Sequence, residues 1–235
     1  MNDAAPAVSA KPKIVRSRDA ASLLLLRGKG RDLELLAGRR PGTVRFMPGV
    51  YVFPGGAVDA SDSRPWAGEQ RTETLTSRLQ RCARAALRET WEEVGVLVGR
   101  EVPAPPAGKT AAEKAFAEKR VVADFGVLTY IGRAITPSTV FRRFNTRFFV
   151  AEAEHVIGDP ASSYELEDVG WHPVGRTPLS PFRDVSQFML AQAIALREGT
   201  APFAPMLFAT VAGKRRITPC WEGTGERATA ARRRG

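Results

Sequence analysis

The spacing of apolar residues changes period several times along this chain, and each change predicts an element. Ala20 to Leu26 and Asp32 to Gly38 are apolar runs of strand length, joined by Gly28-Lys29-Gly30, and predict a β-hairpin. Val50 to Phe53 predicts a short strand that breaks into a glycine turn at Pro54-Gly55-Gly56. Asp59 to Arg71 is polar and predicts a loop. From about Thr74 to Val94 the period becomes helical: Leu75, Leu79, Ala83, Ala86, Leu87 and Val94 fall on one stripe, and Gly95 supplies a stop. Thr110 to Lys119 predicts a short helix, with Thr110 as cap and Glu113 at capping-box spacing. Phe125 to Ala134, Phe144 to Ala153 and the stretch around Val169-Gly170-Trp171 predict strands, with Thr136-Pro137-Ser138 between the first two. Val185 to Arg197 predicts a helix. Phe203 to Pro219 predicts a closing hairpin around Ala212-Gly213-Lys214.

Strands and helices interleaved in this way predict an α/β protein. The 235 residues suit one domain over 19–222 with a substantial core, between a flexible segment 1–18 and a basic flexible tail 223–235. There is no internal repeat.

Hydrophobic content of 43% is ordinary for a globular protein. No apolar run is long enough to span a bilayer, and the first residues lack the apolar core of a secretory signal. Two cysteines, Cys82 and Cys220, form no disulfide framework and have no zinc-ligand spacing, so a reducing, cytoplasmic location is expected. The net charge of +10 attracts anions such as phosphorylated metabolites. Part of it lies near the ends, at Lys11, Lys13, Arg16, Arg18 and Arg232 to Arg234. Basic residues interleaved with aromatics, the mark of a nucleic-acid module, are missing, so no specific nucleic-acid partner and no membrane partner is expected. A homodimer is left open.

The chemistry concentrates in Arg88-Glu89-Thr90-Trp91-Glu92-Glu93-Val94-Gly95-Val96. On a helix Glu89, Glu92 and Glu93 share one side, at i, i+3 and i+4. Such a cluster costs helix stability unless a cation sits among it, and hard divalent cations choose oxygen ligands and bridge to phosphates. The bland alternative is a solvated acidic face with one Arg88–Glu92 ion pair. The two glycines upstream, Gly55 and Gly56, let backbone approach a ligand closely and shift the balance towards a site.

Together these stretches resemble the Nudix box, G-x5-E-x7-R-E-U-x-E-E-x-G-U with U aliphatic. Arg88-Glu89, Glu92-Glu93 and Gly95-Val96 match its second half, with Thr90 at the first aliphatic position. Gly56 lies 32 residues before Arg88 where the pattern has 14, so roughly 18 inserted residues split the box. Gln80 stands where the pattern has its first glutamate, and Asp62, six residues after Gly56, is a candidate for that role from the glycine side. Arg45-x3-Gly49-x3-Phe53-Pro54-Gly55-Gly56-x2-Asp59, preceded by Arg40, is similar to the coenzyme A diphosphatase branch, with Met47 where that branch has histidine. The split box, Phe46-Met47-Pro48-Gly49, Ile135-Thr136-Pro137 and Arg142 to Phe149 resemble the subgroup formed by the animal peroxisomal enzyme and its bacterial relatives.

The resemblance implies an α/β/α sandwich with a mixed sheet. It also implies a metal-dependent diphosphatase acting on X-diphosphate-Y substrates, foremost coenzyme A or acyl-coenzyme A. ADP-ribose, dinucleotides or nucleotide sugars are the alternative substrates, and a non-catalytic nucleotide-binding regulator is a third reading. Mg²⁺ or Mn²⁺ would be held by Glu89, Glu92, Glu93 and a Gly55 carbonyl. Arg88 would orient a carboxylate. Glu92 and Glu165, with Glu167, are candidates for the general base. Arg40, Arg45 and Phe53 are candidates for contacting substrate, Arg45 first among the arginines. His155 and His172 are given no role. Residues 63–71 are expected to form a loop beside the mouth of the site, being polar and too few to bury a core.

Overall fold

A computed structural model describes residues 16–137, 140, 142–175, 179–199, 203–211 and 213–222. Most of the flexible segment expected at 1–18, the tail expected at 223–235, Ser138 and Ala212 lie outside the described residues. The frame is a nine-stranded mixed sheet. Its strands are β1 (Arg18–Arg27), β2 (Glu34–Arg39), β3 (Tyr51–Val52), β4 (Gly55–Ala57), β8 (Thr129–Ile135), β9 (Phe144–Glu152), β11 (Glu167–Pro173), β12 (Met206–Val211) and β13 (Lys214–Pro219). The order is β11-β2-β1-β9-β8-β12-β13, with β3 on β2 and β4 on β1. β1 runs parallel to β9, and β8 parallel to β12; the other neighbours are antiparallel. Two small ribbons pair β5 (Leu97–Val98) with β10 (Val156–Ile157), and β6 (Arg100–Glu101) with β7 (Val121–Val122).

β1 is central and buried on both faces, which is why its apolar run is continuous rather than alternating. The alternation survives in what each residue touches. Ala21, Leu23 and Leu25 join a core under α1 (Ser77–Val94) and α2 (Ala111–Glu118). Leu24 and Leu26 join a second core under α3 (Asp184–Glu198) with Met189, Leu190 and Ala193. Each fully buried leucine contributes about 1.5–3 kcal/mol. The chain is therefore an α/β/α sandwich around a mixed sheet.

α1 begins at Ser77, three residues later than its periodicity predicts, because Thr76 caps it by accepting the Leu79 N–H. Gly95, at φ 77°, ends it. The capping box of Thr110 and Glu113 on α2 forms as expected. The strand predicted from Phe125 starts as a tight turn over Phe125–Val127 and becomes β8 only at Thr129. The glycine turn is itself a strand: β4 pairs Gly55 with Ser22 and Ala57 with Ala20. At φ 155°, with an added Cβ only 2.4 Å from the Ala21 carbonyl oxygen, position 55 admits only glycine.

Residues 63–71 of the inserted segment do not line the cleft that holds the three glutamates. Trp66 is buried against Phe116, ring centroids 5.3 Å apart, and joins the core under α1 and α2. Glu69 accepts two hydrogen bonds from Arg84, at 2.6 and 2.7 Å, and Gln70 bridges to the strand-like stretch at Asp124. The polar composition of 63–71 concealed one large apolar anchor and one buried ion pair, which draw the segment down onto the helices.

Candidate active site

The site is assembled where the last turns of α1 meet β4. β4 lies on the edge of β1 freed beyond the short β1–β2 pairing, and this brings Gly55-Gly56 against α1. The Gly55 N–H donates to Glu93 Oε2 at 2.7 Å. A Cβ on Gly56 would lie 2.4 Å from the Glu89 carboxylate carbon. The glycine pair thus serves carboxylate packing directly.

Arg88 braces the arrangement. Its Nη1 donates to Glu89 at 2.8 Å and to Glu92 at 2.9 Å. Its Nε and Nη2 form a fork on Asp62 at 3.1 and 3.0 Å, and Nη2 also reaches the Ala57 carbonyl at 3.0 Å. Asp62 is fully buried and also accepts the Asp59 N–H at 2.8 Å. The aspartate that follows the glycines therefore does enter the box, as the partner of its arginine, while Gln80 bonds to the Thr72 and Leu75 carbonyls instead. Thr90, in the aliphatic position, is buried and satisfies its hydroxyl on the Ala86 carbonyl at 2.7 Å.

Burial pushes the Glu93 carboxyl up to about 8, against the Gly55 N–H, and the charges of Glu89 and Glu165 act in the same direction. Burial likewise raises Glu89 to about 7; Arg88 opposes the rise, and Glu92 and Glu165 add to it. Burial works against the Arg88 charge too, yet Asp62 and Glu89 hold its pKa above the usual arginine value. Two carboxyls that resist ionisation, side by side in a cleft, form a setting that a cation would relieve.

The cleft has a volume of about 490 Å³. Glu89, Glu92, Glu93 and Glu165 line it together with Gly55, Gly56, Arg40 and Arg142. Phe46, Met47, Phe53, Phe144 and Phe148 give it an apolar wall. Among the residues expected from sequence, Arg40, Phe53, Gly55, Glu89, Glu92, Glu93 and Glu165 come together here, with Arg88 behind them. Phe53 is almost wholly buried, edge-on to Phe148 and Phe182, so it contributes mostly packing. Arg45 is exposed and outside the lining, so the preference for it over Arg40 is reversed: the loop after β2 turns position 45 outward. That loop is pinned by Arg40, whose Nε donates to the Phe46 carbonyl at 3.0 Å. Glu167 pairs with Arg39 at 3.3 Å away from the cleft. Met47, at φ 54°, and Arg142 line the cleft without having been singled out as contacts; the sequence offers no periodic signal for a loop residue of this kind.

No family model matches the chain. It is similar to the acyl-coenzyme A diphosphatase NUDT19 of Gallus gallus, with 34% identity over 111 residues, 43% of this chain and 24% of that protein. It therefore matches only about a quarter of the relative's length. It is also similar to the solved structure of a Nudix hydrolase from Alicyclobacillus acidocaldarius, with 31% identity and a TM-score of 0.62 over 78% of this chain and 93% of that one. With the split box folded into one braced site, this similarity over nearly the whole of a solved relative is decisive. The chain belongs to the Nudix hydrolase family.

Nudix hydrolases generally use divalent metals. The residues present fit such an ion in donor chemistry: oxygen ligands only, two of them, Glu89 and Glu93, with carboxyl pKa values raised by burial. Among the described residues no three acidic, histidine or cysteine side chains converge on one point as they stand. Glu93 is turned onto the Gly55 amide and Glu89 onto Arg88, so an ion would draw on carboxylate oxygens now engaged by the protein. Among the described residues no helix is long and apolar enough to cross a membrane.

Proposed function

We propose that this chain hydrolyses the diphosphate bond of coenzyme A or acyl-coenzyme A with Mg²⁺ or Mn²⁺, releasing a 4′-phosphopantetheine species and 3′,5′-ADP. The observation that carries the hydrolytic part is the pair of half-buried Glu89, held by Arg88, and buried Glu93, held by the Gly55 amide, both lining an open cleft. The partial similarity to an acyl-coenzyme A diphosphatase, with the Arg45-to-Asp59 spacing, supports the substrate.

Glu89, Glu92 and Glu93 would hold the metal, which supplies charge neutralisation for the diphosphate and acidifies water. Arg88 holds Glu89 and Glu92 near one another on the same side of the helix, and binding an ion would release carboxylate oxygens from the arginine. Arg40 spends its Nε on the Phe46 carbonyl, and its outer nitrogens have no hydrogen bond among the described residues. They are suited to a phosphate oxygen. Water attacks one phosphorus, the bond to the bridging oxygen breaks, and a phosphate monoester leaves. Glu165 takes the proton of that water at its carboxylate; Glu92 is less suited, since it already accepts from Arg88. The apolar wall of Phe46, Met47 and Phe144 accommodates the organic part of the substrate.

The test is a panel of coenzyme A, acyl-coenzyme A, ADP-ribose and a dinucleoside polyphosphate, under one metal and one ionic strength. The highest kcat/KM is expected for the coenzyme A thioesters. Equal values, or a preference for ADP-ribose, would assign the site to another diphosphate.

A further inference from the structure

A second, shallow and open cleft borders the same strand ends as the active site, on alternate residues. Along β1, Ala20 faces the catalytic cleft while Asp19 faces this one; Phe144 and Asn145 divide likewise, as do Ala57 and Val58. Five arginines line it: Arg16, Arg18, Arg78, Arg81 and Arg143. They arrive from three distant stretches of chain, the start of β1, the first turns of α1 and the approach to β9. Convergence of this kind is a product of the fold, not a local run of charge.

Asp19 is the acidic residue lining the cleft, and its charge is already divided. It receives Arg78 at 3.3 Å, Arg81 at 3.0 Å and the fully buried Arg147 at 2.8 Å. Glu222, behind it, is occupied by Arg147 and Arg133. Arg16 and Arg18 are exposed and make no ion pair among the described residues. The Nε of Arg81 is buried with no hydrogen-bond partner there. The first turn of α1 carries no acidic residue, so arginines occupy the end of the helix where the macrodipole favours an anion. These features leave positive charge in excess, which an anion with several acceptor oxygens would relieve. The guanidinium fork matches phosphate oxygens, and Ser17 adds a hydroxyl to the lining.

We propose that this cleft is a second, non-catalytic binding site for a phosphate group, with Arg18, Arg78 and Arg81 as its principal ligands. It is independent of the diphosphatase reading, because it shares no lining residue with the catalytic cleft.

The experiment is an NMR titration of the full chain with inorganic phosphate and, separately, inorganic tripolyphosphate, at low and high ionic strength. Amide shifts at Ser17, Arg18, Val58, Arg78, Arg81 and Asn145 are expected, separable from shifts at Glu89 to Glu93. They should weaken with salt, as exposed charges are screened. In the double variant R78Q/R81Q, affinity read at Arg18 and Val58 should fall at least about tenfold, the equivalent of one charge-assisted pair. If removing both arginines from Asp19 prevents folding, the single variant R18Q, which disturbs no ion pair, reads the same loss on a smaller scale. Shifts confined to Glu89 to Glu93, or unchanged affinity in the variants, would overturn the site. Binding of a short single-stranded oligonucleotide without binding of tripolyphosphate would overturn the assignment to a small anion.

Discussion

The two ends of α1 carry opposite charge, and each charge stands at the end that the helix macrodipole disfavours. Glu89, Glu92 and Glu93 crowd the C-terminal turns, and Arg78, Arg81 and Arg84 the N-terminal ones. At the acidic end Glu93 is 3% exposed and Glu89 half-buried, and their carboxyls are pushed up to about 8 and about 7, while Glu92 reaches solvent. The basic end is open at its first turn, where the Arg78 side chain is 56% exposed. The same misplacement of charge therefore has unequal consequences. In water it is screened and costs little; inside the protein it needs named partners, Arg88, Asp62 and the Gly55 amide at one end and Glu69 for the buried Arg84.

The largest test of that contrast is Asp62→Ala. It strips a fully buried carboxylate from a buried guanidinium and should cost about 3–5 kcal/mol in urea unfolding. A loss under about 1 kcal/mol would mean that the brace is not an energetic part of the site. Next, Glu89→Gln and Glu93→Gln should each lower turnover by roughly 100-fold or more, while thermal melting of the metal-free protein shows the fold retained, since a glutamine side chain is neutral in the same place. Wild-type rates in both variants at limiting metal would remove these carboxylates from the reaction. Gly56→Ala, which drives a methyl group into the Glu89 carboxylate, should destabilise by about 1–3 kcal/mol and weaken metal binding by calorimetry.

The acidic end should also set a pH dependence that the basic end lacks. The folded pKa values of Glu89 and Glu93 lie above the ordinary carboxylate value of 4.5, so between that value and about 7 to 8 the folded state binds more protons than the unfolded state. Their neutral forms contribute stability that is complete below 4.5 and lost as pH rises through about 7 and then about 8. Asp19, Glu69 and Glu113 are held below their usual range, so their contribution is lost in the acid region instead. The melting temperature of metal-free protein should accordingly fall between pH 5 and pH 9, and Mg²⁺ should raise it more at the upper end, because the ion binds the deprotonated carboxylates. A melting temperature that does not vary across that window would contradict the burial argument. Smallest of all is Arg78→Gln at the exposed end, expected to change stability by less than about 1 kcal/mol; a loss comparable to that of Asp62→Ala would erase the distinction between the two ends.

Much of this protein could be read from local pattern. The stripe Leu75 to Val94, the cap at Thr110 and the runs from Ala20 to Leu26 and from Phe144 to Ala153 reappear as elements with bounds shifted by a few residues. The carboxylates of the site were legible because helical spacing alone puts Glu89, Glu92 and Glu93 on one side, and the glycine pair because few other residues tolerate so close an approach. Arg45 stands outside the cleft lining, because motif spacing says where a residue falls in a loop but not which way the loop turns it. The packing of the inserted segment was not legible because polarity averaged over 63–71 hides Trp66, and one buried indole outweighs several solvated polar groups.

By itself the sequence determined the period of each element, the side of α1 that carries the acids, and the glycines at 55 and 56, because these depend on interactions between residues near one another in the chain. Only the tertiary structure decided that Asp62 rather than Gln80 holds Arg88, and that Glu165 reaches the same cleft as Glu93. It also decided that Arg16, Arg18, Arg78, Arg81 and Arg143 crowd around Asp19. Those are meetings across 26 to more than 120 residues of chain. They follow from which strand lies beside β1 and which helix covers it, and the pairing of strands is a choice that no local period encodes.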